Sequence, residues 1–143
     1  MIKIDKLCKK YDKDYVLKDL SCSIKDNSIY GLVGANGSGK STLLRIIMGI
    51  YEADSGVISV DDESVYDNVI LKQRMVFIPD DLFFYPGYTL LDTAKYYQSM
   101  YKNFDMEYLK ELASMFNLNL NKKISTFSKG MKRQCALICA IAT

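Results

Sequence analysis

The chain has 143 residues, 25% of them charged and 49% hydrophobic, with a formal net charge of +2 and no histidine. That length holds one ordinary domain with a core. The small charge, carried by scattered rather than striped lysines, excludes a nucleic-acid binder, no apolar run approaches the ~20 residues that span a bilayer, and the missing histidine removes the usual metal ligand and general base.

Lys3, Asp5 and Lys6 leave no room for the apolar stretch of a signal peptide, so a cytosolic chain is expected. Ile2, Ile4 and, after a slip, Leu7 alternate with charged residues. Val16, Leu17, Leu20, Cys22 and Ile24 follow the turn-rich Lys9–Asp14, so the chain opens as paired strands. Ser28-Ile29-Tyr30-Gly31-Leu32-Val33 is an apolar run of strand length, and Leu43-Leu44-Arg45-Ile46-Ile47-Met48 reads as a helix buried on more than one side.

Between these two stands Gly34-Ala35-Asn36-Gly37-Ser38-Gly39-Lys40-Ser41, a complete G-x-x-x-x-G-K-S/T phosphate loop. Strand, glycine-rich turn and helix are the order this chemistry needs. Glycines let the backbone approach an anion without a Cβ clash. Successive N–H groups at a helix N-terminus then form an anion-binding concavity. Residues Gly34, Ala35, Asn36, Gly37, Ser38 and Gly39 are expected to wrap the phosphates. Lys40 reaches the β- and γ-phosphates as the catalytic cation, the Ser41 hydroxyl ligates Mg²⁺, and Thr42 adds a hydroxyl to the α-phosphate.

Further on, Glu52-Ala53-Asp54-Ser55-Gly56 is a loop, Val57-Ile58-Ser59-Val60 a strand ending at the acidic turn Asp61-Asp62, and Met75-Val76-Phe77-Ile78 a third apolar run stopped by Pro79. From Thr89 to Asn117 there is neither glycine nor proline. Leu91, Ala94, Tyr97 and Tyr101 form one helical stripe, and Tyr108, Leu112 and Met115-Phe116 another. Asn103-Phe104-Asp105 breaks the run, with Asp105 capping the second helix. Cys135 and Cys139 share a helix face among Ala136, Leu137, Ile138 and Ala140, which reads as buried thiols rather than a metal site. Leu82-Phe83-Phe84-Tyr85-Pro86 either lines a surface groove or covers the helical core.

These pieces stand in the order found in ATP-binding-cassette (ABC) transporter ATPases, and the chain resembles that family along its whole length. Tyr11-Asp12-Lys13-Asp14-Tyr15-Val16-Leu17-Lys18-Asp19-Leu20 is similar to the family's opening, and Asp54-Ser55-Gly56 resembles the turn after its phosphate-loop helix. Phe127-Ser128-Lys129-Gly130-Met131-Lys132-Arg133-Gln134 resembles the family signature LSGGQ, with the serine and second glycine kept. The resemblance implies ATP and Mg²⁺ as ligands and Tyr11 as the aromatic that stacks on adenine. It places Ser128 and Gly130 on the γ-phosphate of the ATP held by an opposing subunit, in a head-to-tail dimer. It also implies a transmembrane permease as partner, of the bacterial exporter kind, with the chain peripheral on the cytoplasmic face of the cell membrane. Taken alone, Ser128 also reads as a simple helix cap, and Tyr11 as an ordinary strand-end tyrosine.

The expected fold is α/β: a P-loop NTPase core with an N-terminal antiparallel β part (1–79), a helical subdomain (80–127) and the start of the signature helix (128–143), incomplete at the C-terminus. Asp80 stands where the family usually has glutamine. A carboxylate is a good hard-oxygen ligand, so Mg²⁺ shared between Ser41 and Asp80 is expected. In the family the Walker B aspartate, the catalytic glutamate and the switch histidine follow the signature helix, so these 143 residues are expected to bind ATP without turning it over. Two other readings fit the phosphate loop: a different P-loop NTPase or kinase, and a non-hydrolysing nucleotide-binding fragment. Against a GTPase, no D-x-x-G occurs and Asn121-Lys122-Lys123-Ile124 lacks the final aspartate of a guanine reader.

Overall fold

In a computed structural model that describes residues 1–143, the alternating opening folds into two long strands. These are β1 (Ile2–Tyr11) and β2 (Asp14–Ile24), joined at Asp12 and Lys13. They pair antiparallel from Ile2↔Ile24 to Tyr11↔Asp14, and the register shifts between Ile4 and Leu7, where Lys6 has φ 48°. Residues three apart on a regular strand point to opposite faces. The bulge keeps Ile4 and Leu7 in one core, which explains the slip in the hydrophobic pattern.

On its other edge β1 pairs antiparallel with β3 (Ser55–Val60), which turns into the short β4 (Glu63–Ser64), for a sheet order β2-β1-β3-β4. Asp61 and Asp62, the expected acidic turn, have φ 52° and 63°. Positive φ at both central residues is what a two-residue type I′ hairpin requires, and aspartate tolerates it.

Helix α1 (Lys40–Ile47) lays Leu43, Ile46 and Ile47 into a core with Ile4, Leu7, Leu17, Ile58 and Val65. Leu44 is 40% exposed, so α1 buries one face rather than the several that its continuous apolar run suggested. The short α2 (Val69–Lys72), capped by the Asn68 side chain, adds Leu71 to the same core. Together these elements make a first compact unit, Met1–Met75.

Residues 28–33 and 75–78, expected as strands, form none. A strand is held by its ladder, and neither run joins the four-stranded sheet. Ile29 and Val33 accordingly stand almost fully exposed.

The second unit, Val76–Thr143, is helical: α3 (Leu90–Met100), α4 (Met106–Met115), a 3₁₀ turn at Ile124–Thr126 and α5 (Lys129–Ile141). Thr89 and Asp92 form a capping box at α3. Asp105 caps α4 as expected, its Oδ1 accepting from the Tyr108 N–H at 2.9 Å. The expected stripes hold in part: Ala94 and Leu112 are buried, and Tyr97 and Tyr101 pack against the helical core. Leu90 replaces Leu91 at the centre of the α3 face, and α4 buries Leu109, Leu112 and Ala113 while Tyr108 and Met115 are exposed. Adjacent apolar residues at 90–91 and 112–116 fit more than one stripe, and packing with Cys135, Ile138 and Cys139 of α5 selects between them. Because α5 supplies the middle of this core, residues 128–143 fold with the helical unit rather than as a separate piece, and that unit begins at Val76 rather than at Asp80.

Cys135 and Cys139 are fully buried thiols, as read from their apolar neighbours. Burial pushes the Cys135 thiol up to about 11 and the Cys139 thiol to about 12. A thiol whose pKa is raised by folding favours the folded state fully below its unfolded value near 9, and that preference fades as pH rises toward the folded value. Equilibrium unfolding measured from pH 8 to 11 is therefore expected to show a stability decline beginning near pH 9 that Cys135→Ala/Cys139→Ala reduces. Native-state labelling at pH 8 is expected to modify Cys22 well before either α5 thiol.

Candidate functional site

Of the five α-helices, α2, α3, α4 and α5 begin on a side-chain cap supplied by Asn68, Thr89, Asp105 and Ser128. Helix α1 begins on Gly39, which has no side chain to offer. The first amide to bond back along α1 is that of Leu43, to the Gly39 carbonyl at 2.8 Å. The N–H groups of Lys40, Ser41 and Thr42 thus have no protein acceptor, at the end of the helix where the peptide dipoles favour negative charge.

The loop before α1 is shaped to present those groups. Gly37 and Gly39 have φ 81° and 88°, and the Ser38 N–H closes a turn on the Ala35 carbonyl at 3.2 Å. Gly39 also sits against β2: a Cβ there would come within 2.8 Å of the Val16 carbonyl oxygen and 3.0 Å of Leu17 Cδ2. Both its conformation and its neighbours therefore require glycine. The close approach brings the start of β2 against the end of the loop. Tyr11, 46% exposed, lies at the same end of the β1–β2 hairpin, paired with Asp14.

Lys40 folds back over its own loop, its Nζ donating to the carbonyls of Gly34 at 2.6 Å and Ala35 at 2.7 Å. A cation held on two neutral carbonyls beside unpartnered amides is poised for an anion, and a phosphate oxygen would draw on both sets of donors. The Ser41 hydroxyl is exposed and engages no protein group. No cluster of three or more Asp, Glu, Cys or His side chains is assembled that could hold a metal ion. The donor set therefore fits a phosphate-bound Mg²⁺, completed by phosphate oxygens and water, rather than a metal caged by protein.

The structure thus gathers Tyr11 and residues 34–42 in the first unit. Asp80, Ser128 and Gly130 belong to the second. Asp80 is an exposed carboxylate in coil after Pro79. Ser128 caps α5 with its Oγ accepting from the Met131 N–H at 3.2 Å, and both Ser128 and Gly130 are exposed at that helix start. Phe127, where the family signature has leucine, is buried in the helical core and anchors the exposed serine after it.

The aromatic segment divides between its two readings. Phe84 packs against the helical core, while Phe83 and Tyr85 are exposed. Phe83 meets Tyr85 edge-on at 5.2 Å and Tyr85 meets Tyr96 at 5.3 Å, along a groove of about 250 Å³ also lined by Val76, Ile78 and Ala136. Sequence reasoning missed Tyr88 and Tyr96 as part of this wall; the density of aromatics from 83 to 101 was the available signal.

A family model described as ABC transporter matches residues 17–143. This chain belongs to the ABC transporter family of ATP-binding domains. It is 37% identical over 142 residues to the ABC transporter ATP-binding protein YtrB of Bacillus subtilis (strain 168), covering 99% of this chain and 49% of that protein. It superposes on a solved ATP-binding subunit of an ABC transporter with TM-score 0.87 at 26% identity, covering 99% of this chain and 61% of the other. It also shares the fold of a bacterial ABC transporter cassette, MJ0796, solved as a dimer, with TM-score 0.84 at 24% identity over 99% of this chain and 69% of that one. The chain spans about half the length of the curated relatives it matches. No helix of the ABC domain is long and apolar enough to cross a membrane.

The Ser128 cap on α5 admits a direct test. Ser128→Ala is expected to lower the stability of the helical unit by about 1 kcal/mol, measured by urea unfolding. Ser128→Asp, which keeps a capping oxygen at the start of α5, is expected to restore that stability.

Proposed function

We propose that this chain is the nucleotide-binding part of an ABC transporter ATPase, and that in the whole protein its binding and hydrolysis of MgATP drive a membrane permease. The uncapped start of α1 behind its glycine loop carries the reading, since four other helices of the same chain are capped and this one is left open beside a lysine. Bound MgATP supplies the phosphoryl group to be transferred. The amides of the loop and of Lys40, Ser41 and Thr42 hold the phosphates, and Lys40 exchanges its two carbonyl partners for β- and γ-phosphate oxygens, where it offsets developing charge. Ser41 offers its hydroxyl to Mg²⁺, and Tyr11 offers a ring face to adenine.

The exposed start of α5 suits an anion held by another molecule. A second ATP-binding subunit, identical or not, would receive Ser128 and the Gly130 N–H on its γ-phosphate in a head-to-tail dimer; a solved cassette of the same fold is dimeric. The groove beside Phe83, Tyr85 and Tyr96 offers exposed aromatic surface of the kind that takes an apolar helix, here one from the permease. Docking there holds the subunit on the cytoplasmic face of the membrane.

Lys40→Ala is expected to weaken binding of a non-hydrolysable ATP analogue on the order of ten- to a hundredfold, the effect of losing a charge-assisted contact. Calorimetric titration of both proteins checks it, and equal affinities would refute the site. In the assembled transporter, a cysteine placed at Phe83, which is 73% exposed, is expected to crosslink to the permease. Its failure to do so, alongside successful assembly, would refute docking of the permease at this groove.

A further inference from the structure

The β1–β3 ladder ends before β1 does. Its last pair is Cys8↔Ser55, with the Asp54 N–H donating to the Cys8 carbonyl at 2.9 Å. Lys9, Lys10 and Tyr11 therefore have strand β2 on one side only, and there the register shifts again between Lys9 and Lys10. A strand end with an irregular ladder on one edge and none on the other is poorly determined by backbone pairing alone. The side chain of Asp54 takes over where the ladder stops. Its Oδ2 accepts from the Lys10 N–H at 2.5 Å, and its Oδ1 from Lys9 Nζ at 2.9 Å.

Asp54 is itself held from the other direction. The chain leaves α1 through a tight turn, the Ile50 and Tyr51 amides both donating to the Arg45 carbonyl at 2.8 and 3.2 Å. Two residues beyond Asp54, Gly56 at φ 87° lies so close to β1 that a Cβ there would stand 2.6 Å from Leu7 Cα. The segment between α1 and β3 is thus pressed onto β1, and its carboxylate meets the residue adjoining Tyr11. The bond to Lys9 lowers the Asp54 carboxyl below its ordinary value, which favours the charged form that makes both contacts.

We infer that Asp54 is a positioning residue for nucleotide selectivity: by tying the end of β1 to the segment leaving α1, it holds the Tyr11 ring in register with the phosphate loop. The inference rests on the proposed role of Tyr11 at adenine. In the proposed site phosphates bind at the start of α1 and the base at the end of β1, and Asp54 ties that end of β1 to the segment that follows α1. Its removal acts on the base and spares the phosphates.

The test compares two ligands, MgATP and magnesium tripolyphosphate, which share phosphates but not the base, by calorimetry on the 143-residue chain. Tyr11→Ala is expected to weaken ATP about three- to tenfold, the scale of one aromatic contact, and to leave tripolyphosphate unchanged. Asp54→Ala is expected to do the same, with no further loss when added to Tyr11→Ala. Asp54→Asn keeps an acceptor for the Lys10 amide and is expected to recover most of the selectivity. Should Asp54→Ala fail to fold by circular dichroism, Asp54→Ser, too short to reach both lysines, takes its place with the same expectation. Equal weakening of both ligands, an undiminished loss in the Tyr11→Ala background, or parental selectivity in the Ala or Ser variant would each overturn the inference. Parental selectivity in Tyr11→Ala would remove the adenine role, and this inference with it. Loss in Tyr11→Ala with none at Asp54 rejects the positioning role alone.

Discussion

The candidate site depends on one packing contact, the burial of a single face of α1 on the β1–β3 sheet. Leu43, Ile46 and Ile47 enter the core formed by Ile4, Leu7, Leu17 and Ile58, each contributing about 1.5–3 kcal/mol of apolar burial. This burial offsets the lack of any cap on α1, a helix too short to persist alone in water. With the cap absent, three amides are left for an anion; with the face buried, they are left in a fixed place. Glycine at position 39 completes the arrangement because only it fits against the Val16 carbonyl at positive φ.

The helical unit treats its helix starts in the opposite way. Thr89, Asp105 and Ser128 each satisfy an amide of their own helix, and α4 is pinned further by the Asp105 N–H donating to the Ala142 carbonyl at 2.7 Å. Ser128 is the one cap that the family resemblance also assigns to a ligand. The two roles are compatible, since its hydroxyl satisfies only the Met131 amide and other first-turn groups of α5 remain exposed. The Phe127 side chain buried just before it makes the exposed serine a rigid feature.

Much of this was legible before any coordinates. The phosphate loop, the paired opening strands, the Asp61-Asp62 hairpin and the Asp105 cap are local devices, each written in a few adjacent residues whose backbone preference or hydrogen bonding is decided nearby. The errors came where the choice was not local. Ser28–Val33 has the composition of a buried strand, yet no segment of the sheet pairs with it, and composition cannot supply a ladder partner. At the start of α3 the core residue is Leu90 rather than Leu91; the two are equally apolar, and only the facing side chains of α5 distinguish them.

The sequence by itself set out the residues on which the proposed chemistry rests: a glycine-rich loop ending in Lys40 and Ser41, an aromatic at Tyr11, and a serine–glycine pair at Ser128 and Gly130. Those depend on residue type and spacing, which a linear chain displays in full. Tertiary structure alone decided which helix start would stay uncapped and seated, that Asp54 would reach across to the amide of Lys10, and that Phe83 would face solvent while Phe84 faced the core. Each of these joins residues distant in sequence or selects between equivalent neighbours. The free energies that settle such choices come from contacts formed only when the elements pack together.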